Sequence, residues 1–169
     1  MITAHLYQNT ITSSSEEAFS LFEKSCWGEK KRSNIEYTFI EALALVSHGK
    51  MHVYAKKELS FESLLKKARK NDKRIEIKLP VFADLRKRGY VVKTALKFGA
   101  EFRVYDKGIK PGQDHAKWLL YPVKEHENMN WYDFAAKNRV GTSTNKKLLI
   151  AIVDVEGDVT YYEIGWMRP

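Results

Sequence analysis

The chain has one cysteine, Cys26, which excludes an intramolecular disulfide and any metal site built from paired cysteines. It has no apolar run near the roughly 20 residues that a bilayer-spanning helix needs. Its first residues, MITAHLY, lack the charged-then-apolar pattern of a secretory signal. These absences make a cytoplasmic, cytosolic location the expectation. There is no HExxH, no carboxylate cluster of the nuclease type and no Gly-rich phosphate loop of the Walker kind. No metal and no cofactor are therefore expected, and nucleotide hydrolysis is disfavoured. Internal repeats and low-complexity tracts are absent as well.

What is present is an ordinary globular composition, 44% apolar and 30% charged, in 169 residues. That length can bury a real core and allows one domain or two small ones. A net charge of +8 and a pI near 9.4 favour a polyanionic partner, most commonly nucleic acid. Charge of this size by itself is equally well explained by a solvated basic surface. The basic residues are unevenly spread: Lys66, Lys67, Arg69, Lys70, Lys73 and Arg74 fall within nine positions. Such density makes a solvated helix face, or a basic pocket for a partner.

Periodicity and cap residues predict the elements. Serines at 13–15 followed by Glu16 and Glu17 start a helix over 15–24. Phe39, Ile40, Leu43, Leu45 and Val46 recur at helical spacing over 36–48, where Gly49 stops the helix. A strand is expected at 51–54, and a helix from Ser60 to Lys70 that buries Phe61, Leu64 and Leu65. Pro80 suits the first turn of a helix through about Arg88, with Gly89 as its C-cap. From Tyr90 the pattern turns to strands at 90–97, 101–105, 117–123, 147–154 and 159–166, interrupted by a helix at about 130–138 capped by Asn130. The turn at 154–158 reads as a hairpin connection. The boundary is placed at 76–82. This gives a small N-terminal α+β domain at 1–79 and a C-terminal mixed-sheet, nuclease-like α/β domain at 80–169.

Three residues of the second half carry chemistry. Tyr105 closes the run FRVY, His115 follows the loop DKGIKPGQD, and Lys146 opens the apolar strand LLIAIV. A phenol, an imidazole and an ammonium on strand and loop edges form a metal-free kit for cutting RNA, whose own 2′-hydroxyl is the nucleophile. Taken singly, each has a plain explanation. A loop histidine is usually a surface residue, a strand-ending tyrosine usually packs, and Lys147 adjoins Lys146.

The surrounding sequence is GYVVKTALKFGAEFRVY at 89–105, HAKWLL at 115–120, RVGTSTNKKLL at 139–149 and AIVDVEGDVTYY at 151–162. In order and spacing it resembles the catalytic subunit of the archaeal tRNA-splicing (tRNA-intron) endonuclease family over residues 80–169. Residues 1–79 resemble the family's smaller N-terminal domain loosely, through IEALALVSHGK at 40–50. The resemblance implies an endoribonuclease that removes introns from precursor tRNA at bulged sites, leaving a 2′,3′-cyclic phosphate and a 5′-hydroxyl. Shape rather than sequence would be read.

Cleavage of this kind needs a base on the 2′-hydroxyl, an acid on the leaving 5′-oxygen and a cation beside the phosphorane. An imidazole, which titrates near pH ~6.5, makes His115 the natural acid. Lys146, a compact cation, is the natural stabiliser, and the resemblance selects it over Lys147, which alternation sends to the opposite face. Tyr105 is left as the base, the role the resemblance also implies. A phenol with an ordinary pKa near ~10 is a poor base unless cations lie close. Arg103 is expected on the other sheet face and so to give no such help.

The resemblance further implies that Arg139 and Trp166, with Arg168 as an additional member, clamp a flipped-out bulge base, each base stacked being worth about 1–3 kcal/mol. Trp166 could equally anchor the last strand. Asp154, Glu156 and Asp158 form an acidic hairpin; turn chemistry alone explains such residues, and the resemblance implies insertion into a basic groove of a neighbouring subunit. Self-association to a homotetramer, or pairing with a structural subunit, follows. Two other readings stay open: a non-catalytic RNA-binding or assembly subunit, and a metal-dependent DNA nuclease of similar topology, which would need Asp/Glu pairs that are not well placed.

Overall fold

The computed structural model describes residues 1–169. The chain divides into two compact units, Met1–Leu79 and Pro80–Pro169. The class is the expected α+β, with five helices and two five-stranded sheets. No helix is long and apolar enough to cross a membrane.

The first unit begins with a hairpin that the sequence reading did not anticipate. Strand β1 (Ile2–Tyr7) pairs antiparallel with β2 (Thr10–Ser13) through a turn in which Gln8 takes a φ of 54°. After α1 (Glu16–Ser25) come β3 (Glu29–Lys31) and β4 (Asn34–Tyr37), then α2 (Phe39–Ser47), β5 (Met51–Tyr54) and α3 (Phe61–Asn71). The sheet order is β3-β4-β2-β1-β5, with β5 parallel to β1. One face is buried by alternate residues: Ile2 and Ala4, Ile11 and Ser13, Ile35 and Tyr37, Met51 and Val53.

The helix expected over 36–48 therefore starts only at Phe39, because 36 and 37 belong to β4, where Tyr37 pairs with Ile11. Thr38 and Glu41 form a capping box, and buried Glu41 also accepts the Gly28 N–H at 2.9 Å. In α3, Leu64 and Ala68 are buried while Phe61 and Leu65 are half-buried. Lys66, Lys67, Arg69 and Lys70 form its exposed face.

Helix α4 (Ile75–Lys87) starts five residues before Pro80, which is internal to it rather than in its first turn. Buried Ile75 and Ile77 hold the extra turn, and the N–H groups of Ile77 and Lys78 both donate to the Arg74 carbonyl. At the other end Gly89, φ 92°, donates to Arg86 and Tyr90 donates to Leu85, the paired bonds of a Schellman cap.

The second unit continues with β6 (Val91–Thr94), β7 (Phe102–Tyr105), β8 (Trp118–Lys124), α5 (Trp131–Ser143), β9 (Lys147–Val153) and β10 (Val159–Ile164), in sheet order β10-β9-β8-β7-β6. All neighbours are antiparallel except β8 and β9, which are parallel and joined by α5. The strand expected over 90–97 stops at Thr94, and Leu96–Phe98 is a 3₁₀ turn instead. Helix α5 runs past the expected 138 to Ser143, since Val140 packs on the core and Gly141 is buried. That core gathers Ala95, Ala100, Leu119, Tyr121, Leu148 and Ile150. Tyr161 on β10 donates its hydroxyl to Asp84 at 2.8 Å, and Arg88 pairs with the same oxygen at 2.8 Å.

Candidate active site

Three chain segments end at one place in the second unit. Tyr105 is the last residue of β7, 4% exposed and paired with Val91 of β6. The loop that follows is stapled at its base by Asp106 and Lys117, 2.9 Å apart. That pairing, first, and the Lys107 N–H, second, hold the Asp106 carboxyl below the usual carboxylate range. Within the loop Gly108 and Gly112 take φ of 81° and 93°, conformations that suit glycine. Lys110 N–H donates to the Gln113 side chain at 3.0 Å, and Gln113 N–H donates to the Lys110 carbonyl at 3.0 Å. The loop delivers an exposed His115, whose N–H donates to Asp114 at 2.6 Å, directly before buried Ala116.

Lys146 is placed by the end of α5. Asn145, φ 54°, is the left-handed residue of a second Schellman cap: its N–H donates to Thr142 and the Lys146 N–H donates to Gly141 at 2.8 Å. The Lys146 ammonium donates to the Thr144 carbonyl at 2.8 Å and lies 5.0 Å from the centre of the Phe98 ring. Lys147, next along, turns away to Glu163 at 2.5 Å, where the Trp118 indole N–H also donates at 2.7 Å. Lys147 and then Trp118 hold the Glu163 carboxyl below its usual range.

Backbone hydrogen bonds tie the three segments together through one residue. Lys117 N–H donates to Val104, beside Tyr105, and the Lys117 carbonyl accepts the Lys147 N–H, beside Lys146, both at 2.9 Å. The result is a cleft of about 580 Å³ lined by Tyr105, His115 and Lys146, together with Lys97, Phe98 and Arg103. Burial, then Lys97 and Arg103, push the Lys146 ammonium below the ordinary lysine value.

Arg103 corrects an expectation. It lies in the cleft with Tyr105, its guanidinium carbon 5.9 Å from the phenol ring centre, rather than on the opposite face. Residues two apart on a strand share a face, so the period that separates Lys146 from Lys147 unites Arg103 with Tyr105. Lys97 and Phe98 had no signal in the sequence, because the 3₁₀ turn that carries them reads as strand.

The other expected residues lie outside this cleft. Arg139 is exposed on α5. Trp166, 56% exposed, follows β10, and the Arg168 guanidinium lies 5.4 Å from the centre of its ring. Asp154, Glu156 and Asp158 occupy the β9–β10 turn, closed by Asp154 N–H to the Asp158 carbonyl at 3.1 Å and Asp158 N–H to the Asp154 side chain at 2.8 Å.

Comparison with known proteins covers both units. Residues 75–161 match the family model for the catalytic C-terminal domain of tRNA intron endonucleases, and residues 2–65 match the model for their N-terminal domain. The chain is 44% identical over 141 residues to the tRNA-splicing endonuclease of Nanoarchaeum equitans, covering 79% of this chain and 90% of that one. It is 40% identical over 149 residues to that of Thermococcus onnurineus, covering 88% and 85%. With the Pyrococcus horikoshii protein of the same name the identity is 37% over 169 residues, covering 99% and 97%.

Proposed function

The chain belongs to the tRNA intron endonuclease family, and from that premise we propose that it cuts introns out of precursor tRNA at bulged splice sites, leaving a 2′,3′-cyclic phosphate and a 5′-hydroxyl. The observation that carries this reading is the meeting of Tyr105, His115 and Lys146 in one cleft.

Tyr105 takes the proton of the 2′-hydroxyl, which attacks the adjacent phosphorus. The P–O5′ bond breaks as His115 protonates the departing oxygen, and Lys146 neutralises the charge gathered on the phosphorane. Arg103 shares this end of the cleft, its guanidinium carbon 5.9 Å from the centre of the Tyr105 ring. Every group in this scheme is a side chain or the RNA itself, so the reaction proceeds in EDTA. His115 stands exposed on a loop, which suits a group that must meet RNA and exchange its proton with water afterwards.

Arg139, Trp166 and Arg168 hold the flipped base of the bulge, and the exposed Trp166 offers a free ring face for it. The Asp154, Glu156 and Asp158 hairpin seats in a basic groove of another subunit, giving a homotetramer or a complex with a structural subunit. A symmetric assembly supplies two cutting sites for the two ends of an intron.

The test is to incubate the full-length protein with intron-bearing precursor tRNA in EDTA and to analyse the ends. Two cuts with cyclic phosphate and 5′-hydroxyl ends are expected. A dependence on added metal, or 5′-phosphate ends, would overturn the mechanism.

A further inference from the structure

The cleft carries more positive charge than one phosphodiester can match. Lys97, Arg103 and Lys146 line it against a single carboxylate, Asp114, which is turned to the His115 N–H. One phosphodiester brings one negative charge. The ammonium groups of Lys97 and Lys146 each lie 5.0 Å from the centre of the Phe98 ring, so one aromatic ring is shared by both at the cleft. The Nε of Arg103 is buried without a hydrogen-bond partner, which leaves the donor capacity of this guanidinium only partly used within the chain. Crowded like charges of this kind are relieved by a bound anion, in line with the lowered basicity of Lys146.

The two extra cations come from separate elements. Arg103 projects from β7 beside Tyr105, and Lys97 comes from the 3₁₀ turn Leu96–Phe98. Gly99, φ 66°, ends that turn, and Ala95 N–H donates to the Glu101 carbonyl across its base at 3.3 Å. The connection is therefore closed and holds Lys97 over the cleft next to Phe98.

We propose that Lys97 and Arg103 form a second phosphate subsite, which holds the phosphodiester next to the one being cut. The proposal rests on the reading of this cleft as the RNA-cutting site. Arg103 supplies a planar fork suited to two phosphate oxygens, and Lys97 supplies a mobile point charge. Neither moves a proton. Their work is to fix the register of the strand so that the scissile phosphate meets Lys146 and His115.

The test uses the full-length protein and a bulged RNA with a 2′-deoxy nucleotide at the cut site, bound across a salt series. Lys97→Met and Arg103→Met keep the apolar stems and remove the charge. Each is expected to weaken binding by about ten-fold. Each should also reduce the slope of log affinity against log salt by roughly 0.7–0.9. Arg103→Lys should keep the slope. An uncharged methylphosphonate at one of the two phosphates flanking the cut should weaken wild-type binding by a similar factor and add nothing to the Met variants.

Unchanged binding and slope, with only turnover reduced, would overturn the subsite and place the two cations on the transition state. Methylphosphonate losses that persist in full in the variants would also overturn it. Failure of the wild-type protein to cut the all-ribose RNA would instead remove the reading on which the subsite depends.

Discussion

The backbone N–H of Lys146 donates to the carbonyl of Gly141 across 2.8 Å, so the residue offered as the phosphate-stabilising cation is also the closing residue of a helix cap. A Cβ on Gly141 would lie 3.1 Å from the Lys146 carbonyl. The same cap requires Asn145 in the left-handed region at φ 54°. Helix end and site are one construction.

Substitutions in this cap should therefore reach activity. Asn145→Gly keeps the conformation and should leave stability and cleavage near wild type. Asn145→Val should lose about 1–2 kcal/mol of stability, the penalty of a left-handed branched residue, and should slow cleavage further by moving Lys146. Gly141→Ala would gain helix propensity at an open position, ~0.5–1 kcal/mol. Here the contact with Lys146 should cancel that gain and lower kcat. Chemical denaturation alongside single-turnover kinetics checks both, and a Gly141→Ala protein that is more stable and fully active would show that the close approach is harmless.

The lowered basicity of Lys146 sets a pH dependence. With its pKa below the ordinary lysine value of ~10.4, the folded state deprotonates first as pH rises. In that window the unfolded chain binds more protons, so stability contributed by this group rises with pH, whereas the cation needed for cleavage is lost. Lys146→Met should be at least as stable as wild type at pH 7, with the difference narrowing in the alkaline range. Thermal melts across pH test the sign.

Glu156 and Asp158 are exposed, Asp154 is half-buried, and the backbone bond from Asp154 N–H to the Asp158 carbonyl does not depend on the side chains, so charge reversal there should spare the fold. Asp154→Lys, Glu156→Lys and Asp158→Lys together should reduce the mass of the assembly in light scattering and weaken cleavage. An unchanged mass would take the hairpin out of the interface.

Arg139→Ala and Trp166→Ala should each weaken the hold on a bulged RNA by about 1–3 kcal/mol without altering the melting temperature. A double-mutant cycle should show coupling between them if they grip one base. Purely additive losses would mean separate contacts.

Much of the second unit was legible because its strands are apolar and bounded by turn residues. The run LLIAIV became β9, Gly89 and Asn130 became caps, and alternation separated Lys146 from Lys147. The same alternation places Arg103 beside Tyr105, on the cleft side of β7. The first unit was less legible. Its early strands have three to six residues, and β3, Glu29–Lys31, is exposed throughout, so pairing with β4 rather than an apolar pattern makes it a strand. The end of α5 was hidden for another reason. Gly141, Thr142 and Ser143 read as loop, but packing of α5 against β9 keeps them helical, with Thr144 as the cap, and so delivers Lys146.

The whole mechanism depends on the substrate's own 2′-hydroxyl being the nucleophile. A bulged RNA with a single 2′-deoxy nucleotide at the cut site should bind the protein normally and remain uncut. On the all-ribose RNA, His115→Ala should lose on the order of 10²–10⁴-fold in rate. A sulfur leaving group, which needs no protonation, should restore much of that loss, whereas Lys146→Ala should not be rescued and Tyr105→Phe should be slow on both substrates. Cleavage of the 2′-deoxy RNA at the same position would contradict the account, because the nucleophile would then have to come from somewhere other than the substrate.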